Sequence, residues 1–333
     1  MEKINVLVIS SIDDACKKEI RDVSPRINLV DTTHIWDARH ILTGDESGAY
    51  SHELDMLLSE AEIIYGRRPP PDMIIRAPGL KWFQTFLAGV DHFLDEELVK
   101  SSIKITNMSG LHTCVAETAL SIILMFAKSA HICMENKNKK KWVRYDPVAV
   151  KGSTAGIVGL GKIGKIIAKF CKNLGMEVLA TRRSAKAGDR ARYVDKVYPM
   201  SDLKDLLLKS DFVVSILPAT SGTNRLFGKN EFRQMKESAF FINMGRGNAV
   251  DEDALVTALS EEWISGAGLD AYEIEPLPHD SRLWELPNVI MFPHVSGRMK
   301  NYEQHINKIF CENLERYINN RRLKNLVNKK TGY

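Results

Sequence analysis

Residues 153–182 read STAGIVGLGKIGKIIAKFCKNLGMEVLATR. An apolar run at Ala155, Ile157 and Val158 leads into Gly159, Gly161 and Gly164, spaced G-x-G-x-x-G, with Leu160, Lys162 and Ile163 between and around them. Ile166, Ile167, Phe170, Cys171 and Leu174 then recur at helical spacing, and Gly175 stands where a helix C-cap belongs. A second strand is predicted over 176–181. Strand, glycine turn, helix and strand form the unit that holds a dinucleotide. The first glycine permits the tight turn, the second lets backbone N–H groups approach the pyrophosphate, and the third lets the helix pack closely on its strand. The helix N-terminus adds partial positive charge toward the phosphates.

The end of the second strand indicates which dinucleotide. An NAD site usually carries Asp or Glu there, to hydrogen-bond the adenosine ribose. This chain reads Thr181, Arg182, Arg183, Ser184. Two guanidinium groups and two hydroxyls suit a 2′-phosphate, to which arginine offers bidentate charge-assisted bonds. The reading is NADP(H) in preference to NAD(H), with NAD(H) still open; the alternative is a solvated basic turn.

Outside this unit, composition excludes several classes of protein. At 333 residues the chain exceeds what one core usually organises, so two domains are expected. Its 44% hydrophobic and 26% charged content is that of a globular protein, and a net charge of +4 does not point to a nucleic-acid partner. Basic runs at 137–141 and at Arg321, Arg322, Lys324, Lys329 and Lys330 read as solvated surface. Cys16, Cys114, Cys133, Cys171 and Cys311 are odd in number and lack C-x-x-C spacing, which predicts a reduced cytoplasmic protein. The opening MEKINVLVISS reads as a first strand and not a signal peptide, and no apolar run reaches membrane-spanning length. Asn107-Met108-Ser109 matches a glycosylation sequon that a cytoplasmic location would leave idle, and no histidine pairing predicts a metal site.

The first hundred residues alternate strands (6–9, 27–30, 63–65, 82–86, 103–106) with helices such as 52–60 and 96–100, an α/β pattern with a parallel sheet. VAETALSIILMFAKSA, 115–130, is a helix apolar nearly all round, so it must be buried in a core or against a second subunit. Beyond Thr181, further βα units follow, a last strand covers 289–292 and a terminal helix covers about 302–318.

Three downstream segments carry chemistry where strands end. FINMGRGNAVDEDAL sets Arg246 between two glycines, GAGLDAYEIEPLP carries Asp270 and Glu275, and LPNVIMFPHVSG carries His294. Ligands of open α/β sheets bind outside the carboxyl ends of strands.

With LPATSGTNRLF at 217–227, FLAGVDHF at 86–93 and NMSGLHTCVAETAL at 107–120, these segments resemble the D-isomer-specific 2-hydroxyacid dehydrogenase family in order and approximate spacing, over nearly the whole chain. The resemblance implies two Rossmann-like domains with parallel sheets. A cofactor domain, 104–294, is inserted into a substrate domain of 1–103 and 295–333. It implies His294 as general acid, Glu275 as its partner and Arg246 as the clamp on the substrate carboxylate. Leu87, Ala88 and Gly89 would hold that carboxylate through backbone N–H groups, with Asp270 near the nicotinamide and Pro218 and Thr223 beside the cofactor. It further implies a small 2-oxo or 2-hydroxy acid substrate and a homodimer built around 115–130. Arg182 departs from the Asp of many members. Trp142 and Arg144 read first as packing residues, with a partner subunit or substrate pocket as the other possibility, and Arg298 as a possible anion ligand. A dinucleotide-sensing corepressor and a non-catalytic NADP-binding scaffold are the rival readings of the same fold.

Overall fold

In the computed structural model, residues 3–38, 48–108, 110, 112–186 and 188–329 are described; Ser109 of the sequon, Leu111 and Lys330 lie outside them. The chain divides into two units, Met1–Gly110 with Met299–Tyr333, and Leu111–Arg298.

In the first unit, strands β1 (Ile4–Val8), β2 (Ile27–Asp31), β3 (Ile63–Gly66), β4 (Trp82–Thr85) and β5 (Lys104–Thr106) form one parallel sheet in the order β2-β1-β3-β4-β5. Helices α1 (Asp14–Asp22), α2 (His52–Ser59), α3 (Met73–Arg76) and α4 (Glu96–Lys100) connect them. Asp13, Ser51 and Asp95 cap α1, α2 and α4 by accepting from first-turn N–H groups. β3 and β4 are buried at every position, as expected of strands covered on both faces.

The expected boundary at 103/104 is corrected by β5. Lys104–Thr106 pairs with β4, so the chain leaves the first unit only after Gly110. At the other end, residues 295–298 stay with the second unit.

The second unit opens with α5 (His112–Ala127) and α6 (Ala130–Asn138), which meet at 66°. Ser129, at φ +50°, breaks the single helix expected over 115–130. The strands are β6 (Thr154–Val158), β7 (Glu177–Thr181), β8 (Lys196–Tyr198), β9 (Phe212–Ser215), β10 (Phe240–Asn243), β11 (Gly266–Leu269) and β12 (Val289–Met291). Between them lie α7 (Lys162–Asn173), α8 (Leu203–Lys209), α9 (Lys229–Gln234) and α10 (Glu252–Ser260). They form one parallel sheet in the order β12-β11-β10-β9-β6-β7-β8. The order reverses at β6, the switch point where doubly wound sheets take their dinucleotide. The apolar α5 buries one face inside this unit, through Ala116, Ala119, Ile122, Ile123, Phe126 and Ala127. Phe126 stacks on Phe240 with ring centroids 4.5 Å apart, and a Cβ on Gly268 would strike Ile122. No single helix among the described residues is long and apolar enough to cross a membrane. The last helix, α11 (Tyr302–Ile318), returns to the first unit and packs on α1.

Candidate active site and cofactor loop

The three loop glycines meet three different surroundings. Gly159 has φ +113°, and a Cβ there would lie 2.7 Å from the Ile216 carbonyl oxygen. A Cβ on Gly164 would strike the Gly159 carbonyl oxygen, so α7 sits hard against the loop. At Gly161 a Cβ would meet nothing within 4 Å, and this residue caps α7 without a side-chain bond. Open space and first-turn N–H groups free of a capping side chain suit a pyrophosphate. The loop therefore fits a dinucleotide.

Behind it, the Thr181 carbonyl accepts from Gly159 N (3.3 Å) and Leu160 N (2.9 Å). The Thr181 hydroxyl is wholly buried and finds no partner, which corrects the expectation that it faces a phosphate. Arg182 donates from one terminal nitrogen to Asp189 Oδ2 at 2.8 Å, a contact that spacing did not reveal. Arg183 and Ser184 are exposed. Thr223 Oγ1 donates to the Pro218 carbonyl at 2.7 Å and accepts from Thr220 N, stapling the loop after β9.

On the other side of the switch point, β10, β11 and β12 end together. Asn243, last in β10, donates to the Arg246 and Ala271 carbonyls at 3.1 and 3.4 Å and accepts from Gly245 N. That bonding folds the turn bearing Arg246. A Cβ on Gly247 would collide with the Tyr272 carbonyl, so glycine is required where these two loops touch. The Tyr272 hydroxyl donates to the Phe292 carbonyl (3.0 Å) and lies 3.2 Å from that of Leu269, tying the ends of β11 and β12.

His294 follows β12 at φ +51°. Its Nδ1 lies 2.7 Å from Glu275 Oε2, while Glu275 Oε1 accepts from Tyr272 N at 3.0 Å. Asp270, 2% exposed, accepts from Val295 N (2.9 Å), Ser296 N (3.2 Å) and the Ser296 hydroxyl. Those bonds hold the turn on which His294 adopts its left-handed backbone, a conformation that costs about 1–3 kcal/mol and persists because its surroundings enforce it. Leu87, Ala88 and Gly89 lie in the first unit at the carboxyl end of β4. Leu87 N donates to Thr85 Oγ1, and Asn107 donates to the Ala88 carbonyl.

Residues 120–296, more than half of the chain, match the NAD-binding domain of the D-isomer specific 2-hydroxyacid dehydrogenases. The chain belongs to that family. Over 272 residues it is 33% identical to the glyoxylate reductase of Thermococcus litoralis, covering 78% of this chain and 80% of that one. A family structure from Aeromonas salmonicida superposes with a TM-score of 0.83 at 29% identity, over 98% of this chain and all of that one. The NADPH-dependent glyoxylate/hydroxypyruvate reductase of Sinorhizobium meliloti, solved with NADP and sulfate, gives 0.82 at 25%, over 99% of this chain and all of its own.

In this NAD(P)-dependent dehydrogenase, the acidities around His294 are set by its neighbours. The hydrogen bond that His294 donates to Glu275 raises the imidazole pKa above 6.5; burial opposes it, and the nearby Arg246 charge opposes it weakly. Burial pushes the Glu275 carboxyl up, but bonds from His294 and Tyr272 N prevail and leave it below its ordinary value. Asp270 is raised by burial, against its bonds from Ser296 and Val295. Sequence reasoning missed Asn243 and Tyr272, although the N-x-x-R-G and L-D-x-Y patterns contain both. Trp142 is 93% exposed and Arg144 is exposed, so neither packs in a core; Arg298 is exposed as well.

Proposed function

We propose that this enzyme reduces a small 2-oxo acid to the D-2-hydroxy acid, using NADPH in preference to NADH. The bound cofactor supplies the hydride. His294, whose protonated form Glu275 favours, gives its proton to the carbonyl oxygen, and takes it back in the reverse reaction. Arg246 binds the substrate carboxylate with its planar fork, a task that lysine performs poorly. By the family resemblance Ala88 and Gly89 offer backbone N–H groups to the same carboxylate, whereas the Leu87 N–H is already taken by Thr85 Oγ1; Asp270 fixes the turn that carries the acid. The observation carrying this reading is the 2.7 Å His294–Glu275 pair beyond the carboxyl end of β12. Relatives named as glyoxylate and glyoxylate/hydroxypyruvate reductases support substrates of that size.

NADPH preference rests on Arg182, Arg183 and Ser184 at the end of β7. A cytoplasmic location rests on five cysteines that form no disulfide. A homodimer is supported by exposed apolar side chains in and after α6, Trp142 foremost.

The test is cofactor oxidation with a panel of 2-oxo acids, run with both dinucleotides. Wild type is expected to turn over at least one acid, faster with NADPH. His294→Asn should bind cofactor normally and lose roughly two to four orders of magnitude in kcat. No turnover of any 2-oxo acid, or an unchanged kcat in the variant, would remove this reading.

A further inference from the structure

The C-terminal basic run divides into three different environments. Lys329 Nζ donates to the Leu98, Ser101 and Ile103 carbonyls at 2.9, 2.6 and 3.2 Å, clamping the approach to β5. Lys324 pairs with Glu312. Arg321 and Arg322 instead line a cleft of about 640 Å³ in the first unit, floored by Ile4, Leu80 and Leu323.

The parallel sheet explains what faces them. All its strands begin along one edge, so the residues that lead into them gather there. Lys3 precedes β1, Arg26 precedes β2, Lys81 precedes β4 and Lys104 opens β5; all four line the cleft. The leading residue of β3 is Glu62, the one carboxylate in the lining. Among the described residues, six cations and one carboxylate line the cleft.

Glu62 is already engaged, accepting from the Tyr317 hydroxyl at 2.6 Å and lying 3.3 Å from Lys81 Nζ. Among the described residues no carboxylate pairs with Lys104, Arg321 or Arg322. Three of the last four carbonyls of α11, which would repel an anion, are occupied: Glu315 O, Arg316 O and Tyr317 O accept from the N–H groups of Asn319, Arg321 and Asn320.

We propose that this cleft binds a small polyanion bearing several phosphate groups, at the opposite edge of the sheet from Leu87–Gly89. Its size is that of a small-molecule site. Cations spread over five chain segments match several linked charges better than one. Nucleic acid would need a longer basic track than this lining provides.

The probe is inorganic tripolyphosphate, titrated calorimetrically into enzyme saturated with NADPH so that the dinucleotide loop is filled. One saturable site per chain is expected, weakening with salt. Affinity should fall about tenfold or more in Lys104→Glu/Arg322→Glu. Both side chains are exposed, and the double alanine variant serves if the charge reversal does not fold. Absence of saturable binding at millimolar probe would overturn the proposal. So would equal affinity in the folded variants, or an equal effect of sulfate at matched ionic strength.

Discussion

Removing one negative charge at Glu275 should move the acidity of His294 in a known direction. The bond to Glu275 is the leading cause of the raised imidazole pKa. Glu275→Gln should therefore shift the alkaline limb of kcat/KM for reduction to lower pH, and the acid limb for oxidation with it. Superimposable profiles would leave Glu275 a structural role only. Stability follows the same signs. The histidine's share is complete below 6.5 and is lost as pH rises through its raised value; the glutamate's share is complete above 4.5 and is lost as pH falls through its lowered value. The pair contributes most between those two points. A second expectation concerns Asp189, which a 2′-phosphate must displace or share Arg182 with. Asp189→Asn should raise kcat/KM for NADPH a few-fold with little effect on NADH, since an exposed ion pair contributes about 0.2–1 kcal/mol. Reduced use of NADPH would mean that Asp189 orients the arginine instead. At this scale motif residues were legible because chemistry restricts them. Asp189 was not, since nothing in its spacing marks it as a partner. Thr181 was not legible either, since β7 is buried at every position after Glu177 and alternation does not separate its faces.

Among the elements, the glycine loop separates packing from ligand binding within one turn of chain. Gly164→Ala must push against the Gly159 carbonyl and should lower the melting temperature, at a cost of about 1–3 kcal/mol. Gly161→Ala has open space and should melt like wild type, yet bind cofactor more weakly. Equal melting temperatures for the two, measured by calorimetry without cofactor, would contradict this geometry. Elements were legible wherever apolar residues recur. β1 to β5 were each predicted within two residues because parallel strands are apolar on both faces. The helix α1 carries little apolar signal, since only Cys16 and Ile20 of its nine residues are buried. The helix α6 buries none of its side chains, so it carries no pattern at all.

For the whole molecule, α6 and the segment after it set the expected assembly. Met134, Trp142 and Val148 are exposed together with Ile132 and Val143, a concentration of apolar surface that isolated chains seldom leave in water. Sedimentation should show a species of twice 37.6 kDa, and Met134→Glu/Trp142→Glu should shift it toward monomer at micromolar concentration. A wild type monomeric throughout would exclude the dimer. The return of α11 to the first unit has a different consequence, in time. Phe310 stacks on Tyr65 at 3.9 Å and lies 5.3 Å from Trp82; Asn307 bonds the Cys16 carbonyl, 291 residues away in sequence. The ribosome makes the strands of that core first and its covering helix last. The second unit, continuous from 111 to 298, has all its own partners sooner. The older part of the nascent chain is thus the last to finish folding, and until α11 emerges its aromatic core stands uncovered, within reach of chaperones.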